Sequence, residues 1–61
     1  MLVDILDCEK EEEISVVYLE FIPRKGEYIT QVENTYRVIE RELKLTSEGQ
    51  PDGVILYCRE I

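Results

Sequence analysis

Histidine and tryptophan are absent from this 61-residue chain, which holds two cysteines, three glycines, two prolines and seven basic residues against fourteen acidic ones. Each shortage excludes something. Without imidazole there is no histidine-based nucleophile, general base or zinc ligand, and Cys8 and Cys58 lack the Cys-x-x-Cys spacing of a zinc knuckle or redox motif. No glycine-rich phosphate loop and no Gly-x-Ser-x-Gly elbow occurs. A non-enzymatic protein with no catalytic residue, no metal and no cofactor is therefore expected. Glu20 is the one acid set in a strongly apolar stretch, and a solvent-facing place on a half-exposed strand explains it better than acid-base chemistry.

Long hydrophobic runs are missing too. Ile14 to Ile22 is the longest nearly apolar stretch, about half of what a membrane-spanning helix needs, and Glu20 interrupts it. Met1-Leu2-Val3-Asp4 carries an acid where a secretory signal carries Lys or Arg. The expected address is the cytoplasm, with Cys8 and Cys58 reduced and Cys58 the less accessible of the two.

What the chain does have is an apolar fraction of 44% beside a charged fraction of 34%, the balance of a folding globular domain. Residues 1–61 read as a single small domain with one thin core, a size class that leans on a disulfide, a metal or a partner for stability. The formal charge of -7 opposes approach to phosphate backbones, which makes nucleic acid an unfavoured partner. Asp7, Glu9, Glu11, Glu12 and Glu13 crowd into an acidic loop near 7–13. A solvated loop is the ordinary reading of such a run, and an electrostatic lure for a basic host protein, with Glu11, Glu12 and Glu13 as contact residues, is the functional one.

Strand signals dominate the rest. Met1 to Leu6 suits a short strand, and Ile14 to Ile22, rich in β-branched and aromatic residues, reads as a strand stopped by Pro23. Period two places Val17, Leu19 and Phe21 on one face of it and Val16, Tyr18, Glu20 and Ile22 on the other. Pro23-Arg24-Lys25-Gly26-Glu27 is a turn, Tyr28 to Val32 a further strand, and Glu33-Asn34 a tight hairpin. Thr35 to Leu45 is open between two states. Val32, Tyr36, Ile39 and Leu43 recur at helical spacing, whereas a strand bulged near Val38-Ile39 would turn Tyr36 and Val38 inward. Thr46 to Gly53 is a polar loop, and Val54 to Cys58 a buried closing strand.

The stretch Tyr18-Leu-Glu-Phe-Ile-Pro-Arg-Lys-Gly-Glu-Tyr-Ile29, with Tyr36-Arg-Val-Ile39 and Val54-Ile-Leu-Tyr57, resembles small SH3-like β-barrel proteins encoded by phages and other mobile elements. In those, a strand enters a Pro-Arg-x-Gly-Glu/Asp turn, a hairpin leads to a Tyr-x-Val strand, and a Val/Ile-rich strand closes the sheet. The likeness covers roughly residues 16–60 and departs from the pattern where Glu33-Asn34-Thr35 replaces Asn-Gly or Asp-Gly, and in the acidic segment before Ile14. It implies a mainly β fold, a small antiparallel four- or five-stranded SH3-like partly open barrel. The alternative is α+β with a helix near 30–43. It implies no mechanism, since barrels of one shape serve many functions.

Three functional readings follow from the residues. The first is a small interaction module of a mobile element, partner unknown. The second is an acidic inhibitor that mimics nucleic acid through Glu11, Glu12 and Glu13. The third is a weak nucleic-acid-binding barrel using Arg24, Lys25 and Arg37, with Tyr18, Tyr28, Tyr36 and Tyr57 as a stacking platform. Ordinary surface charge on a turn and amphipathic core-edge tyrosines explain the same residues without function. Val16, Tyr18 and Ile22 leave a second apolar strand face that one thin sheet does not cover, so a homo-oligomer, most simply a dimer, is expected.

Overall fold

A computed structural model describes all 61 residues as five strands: β1 (Leu2–Asp7), β2 (Glu12–Tyr18), β3 (Tyr28–Gln31), β4 (Asn34–Leu45) and β5 (Pro51–Glu60). They form one sheet in the order β2-β1-β5-β4-β3, curled into a half-barrel. The partly open barrel read from the sequence is thus present, and the alternative helix near 30–43 is not. One pairing departs from the antiparallel expectation. β1 and β5 run parallel, with Val3 beside Val54 and Leu6 beside Tyr57, so the sheet is mixed. No helix is long and apolar enough to cross a membrane.

Alternation dictates the core. Val3 and Ile5 of β1, Tyr36 and Val38 of β4, and Val54, Leu56 and Cys58 of β5 all point into the concave side and are buried. Ile14, Val17, Leu19, Ile22 and Ile29 pack against them. β4 keeps this alternation only to Val38. Its register with β5 then shifts between Val38 and Glu40, a bulge at Ile39 that accounts for the helix-like spacing of its apolar residues. Beyond the bulge Leu43 and Leu45 are exposed, and the hairpin tip extends past β1.

Several strand ends differ from the reading above: β2 begins at Glu12, so Glu12 and Glu13 lie in a strand and not in the acidic loop expected over 7–13, and β3 ends at Gln31. β2 stops at Tyr18, although Leu19 still exchanges hydrogen bonds with Met1 through its N–H and C=O, each 3.0 Å. The chain then leaves the sheet, so Leu19 and Ile22 fold onto the core while Phe21 is left exposed. β5 begins earlier than Val54. Pro51 takes its first position, which needs no donor, and Gly53 lies where an added Cβ would come 3.0 Å from the Leu2 carbonyl oxygen.

Turns follow local chemistry. Glu27 N–H donates to the Arg24 carbonyl at 3.0 Å with Gly26 at φ 91°, the third position of a type II turn where only glycine is at ease. Gln31 faces Asn34 across the β3–β4 hairpin, so the two-residue turn is Val32-Glu33 rather than Glu33-Asn34. Val32 occupies φ 57°, an unfavourable conformation for a β-branched residue.

Candidate functional site

A half-barrel has two unpaired sheet edges, and here they belong to β2 and β3. Both line the same cleft of about 550 Å³, whose apolar walls include Val17 and Leu19 on one side and Tyr28 and Ile29 on the other. Phe21 and Pro23, from the segment that leaves β2, stand at its mouth. Phe21 is 84% exposed and Tyr28 61% exposed, which is costly for large apolar surfaces unless something covers them. Toward the start of β2 the gap becomes polar. Glu12, Glu13 and Ile14 there line a second hollow of about 240 Å³ with Gln31, Val32 and Asn34, and Lys10, paired with Glu60, lines it too.

The acidic loop that supplies this polar end is built by Asp7. Its buried carboxylate accepts hydrogen bonds from the N–H groups of Glu9 and Lys10, at 3.0 and 3.1 Å, which folds the β1–β2 turn back on itself. Glu9 pairs with Arg59 at 3.0 Å and Lys10 with Glu60 at 3.4 Å. The Glu60 carboxylate, with Asp7 and Glu12 nearby, raises the Lys10 ammonium above its ordinary value. Glu11, Glu12 and Glu13, by contrast, make no salt bridge. The register shift between Ile5 and Leu6 turns Ile14 toward the core and sets Glu12 opposite Asp7. The three glutamates singled out in the sequence are therefore together, and two of them flank the gap.

Arg24, Lys25 and Arg37 are also brought together, since the turn at Gly26 lies against the Arg37 guanidinium and Gly26 N–H donates to the Val38 carbonyl at 2.8 Å. Lys25 is answered by Glu40 at 3.2 Å, and Arg37 sits 6.0 Å from the centre of the Tyr28 ring. Arg24 and Arg37 are thus the two cations of that group without a carboxylate partner.

The four tyrosines do not form one platform. Tyr36 is buried in the core, and its hydroxyl accepts from Asn34 at 3.4 Å. Tyr57 is half-buried and donates to the Glu42 carboxylate at 2.8 Å, a bond that raises its pKa. Only Tyr18 and Tyr28 present most of their surface.

On the convex side, Leu2 lies beside Tyr18, Asp4 beside both Val16 and Ile55, and Leu6 beside Tyr57. Val16 and Tyr18 are 46% and 80% exposed there. Ile22 is not part of this face, because it follows the end of β2 and packs against the core. β1 lies alongside β2 in the sheet, so Leu2 and Leu6 enlarge the apolar face instead of covering it.

Cys8 is exposed and Cys58 buried, both as free thiols. They are close in the chain's folded path, the Cys8 N–H donating to the Cys58 carbonyl at 2.9 Å. Cys58 shares the core side with Asp7, and burial, followed by Cys8 and Asp7, pushes its thiol up to about 11. No group of three or more cysteine and acidic side chains converges as metal ligands.

Sequence reasoning missed Phe21, Pro23, Ile29 and Val32 as members of the gap. The signal for Phe21 was present in Pro23, since a chain that must turn there gives its preceding residues little ladder to join. Family models, curated proteins and solved structures were compared with this chain, and none matches.

Proposed function

We propose that this protein is a non-enzymatic interaction module that binds a partner protein in the gap between β2 and β3. One observation carries the reading: two unpaired strand edges face one apolar cleft, and its rim residues Phe21 and Tyr28 are exposed. Unpaired edges are ready-made templates for another chain, and soluble monomers normally guard them. Lys10, Tyr57 and Cys58 owe their shifts first to an ion pair, a hydrogen bond and burial, which are ordinary structural causes. An origin in a phage or other mobile element, an SH3-like classification and a cytoplasmic address rest on the sequence features given above.

Affinity capture with the wild type and with Phe21→Ser tests this. Phe21 is exposed, so the variant keeps its fold, and a partner held by the wild type should be lost from it. A captured set identical for both proteins would overturn the reading.

A second reading, the acidic mimic of nucleic acid, is favoured by the free carboxylates of Glu11, Glu12 and Glu13. It requires a nucleic-acid-handling protein that is released when those three are neutralised and retained by Phe21→Ser. Direct binding of nucleic acid through Arg24, Lys25 and Arg37 has the weakest support, with Lys25 already paired and a charge of -7 to overcome. A flat DNA titration at low salt retires it.

A further inference from the structure

Resting on the reading that the gap is the binding site, we infer that its occupant is an extended peptide segment of a basic partner. The segment adds a strand to the edge of β2, with apolar side chains toward its N-terminal end and Lys or Arg toward its C-terminal end. Direction follows from topology. β2 and β3 are antiparallel to one another, being separated by β1, β5 and β4 with only the β1–β5 pairing parallel. An added strand is antiparallel to one edge and parallel to the other. β2 offers seven residues and β3 four, and antiparallel ladders are the more stable, so β2 sets the polarity.

Polarity then fixes the sequence pattern. β2 runs from Glu12 and Glu13 toward Tyr18, and the apolar mouth at Phe21, Pro23 and Tyr28 lies beyond its far end. An antiparallel strand enters at the mouth and finishes beside the two glutamates. Its N-terminal residues meet Leu19, Phe21 and Tyr28, and its C-terminal residues meet the unpaired carboxylates of Glu12 and Glu13.

A second copy answers these acids less well than a basic segment does: paired antiparallel on the two β2 edges, it would lay Glu12 and Glu13 beside the apolar Tyr18 end of the other copy and leave both carboxylates without a cation.

The test uses synthetic peptides of about seven residues, the length that spans β2. The probe alternates Val and Thr and ends in two Arg. Its controls carry two Glu instead of Arg, the reversed sequence, or a central Pro. Amide exchange and backbone NMR shifts of the full chain are the readouts. The Arg-ended peptide should slow exchange along β2, and Glu12→Gln with Glu13→Gln should weaken it about tenfold, as should a rise in salt. The reversed and Glu-ended peptides should bind more weakly, and the Pro peptide should leave β2 unprotected.

Equal binding of Arg-ended and Glu-ended peptides in the gap would overturn the inference and leave the gap as the binding site. Binding of the Arg-ended probe that Phe21→Ser does not weaken, with shifts confined to the convex side, would overturn both. Protection of β2 in the absence of any peptide, appearing as concentration rises, would assign the edge to a second copy and overturn the inference as well.

Discussion

Val32 holds a left-handed backbone at the tip of the β3–β4 hairpin with its side chain almost wholly in solvent. It gains little from packing and bears the strain of a β-branched residue there, on the order of 1 kcal/mol or more. Val32→Gly should therefore stabilise the protein by about 1 kcal/mol, which raises Tm by about 4–8 °C in a domain of this size. Thermal unfolding followed by circular dichroism checks this, and an unchanged or lower Tm would show that the turn relaxes without cost. Cys58 makes a second test, of pH. Its thiol moves from an ordinary 9.0 to about 11 because it is buried. Below pH 9 the thiol is neutral in folded and unfolded chains alike, and its contribution to stability is complete. As pH rises, the unfolded thiol ionises first, so that contribution is lost between about pH 9 and 11, at up to about 1.4 kcal/mol per pH unit. Urea titrations with reductant present should show a steeper alkaline decline for the wild type than for Cys58→Ala. Parallel profiles would mean that the thiolate is tolerated in place.

The strands show what was legible in the sequence and why the rest was not. Ile14 to Val17 reads as strand from β-branched residues alone, because any pleated, half-buried surface favours them. Its far end is not legible, since Ile22 is as apolar as a strand residue yet packs on the core from outside the ladder, whose last bonds join Leu19 to Met1. In β4 the inward Tyr36 and Val38 and the bulge just after them match the strand alternative, and the same bulge produces the helical spacing that competed with it. No local pattern announces that β1 joins β5 in parallel, although this pairing makes β2 and β3 the edges and so creates the gap. The acidic residues of the site were legible as charge, and its apolar half was not, because it is assembled from a non-ladder segment and a four-residue strand. Element by element, stability should track the side of the bulge. Val38 lies before it and is buried, so Val38→Ala should cost roughly 2 kcal/mol in chemical denaturation. Leu43 lies after it on the exposed tip, and Leu43→Ala should cost less than about 0.5 kcal/mol. Equal costs would mean that the tip is packed in solution.

At the scale of the whole molecule, seven buried apolar side chains form a small core on one side of a single curled sheet. The convex side has no second layer. Leu2, Leu6, Val16, Tyr18, Ile55 and Tyr57 share it around an ion pair between Lys44 and Asp4, 3.4 Å long. That arrangement suits a two-fold dimer. Within the patch Asp4 is matched by Lys44, while Glu13 beside Leu6 and Glu42 beside Ile55 border it without a salt bridge, so two copies meeting there bring some like charge together. Repulsion between chains of charge -7 acts from the rim and is screened over about 8 Å at physiological salt. A shared apolar face would give the small core the second layer it lacks, and burial is expected to exceed the screened repulsion. Light scattering at micromolar concentration should give a mass twice the 7.2 kDa of one chain. Tyr18→Asp, placing a charge on the most exposed residue of the convex face, should return the mass to that of a single chain. Phe21→Ser should leave the dimer intact, because Phe21 belongs to the gap and not to this face. A mass of one chain for the wild type would show that a single sheet with an uncovered convex side is stable alone, and dissociation by Phe21→Ser in place of Tyr18→Asp would move the dimer contact to the strand edges.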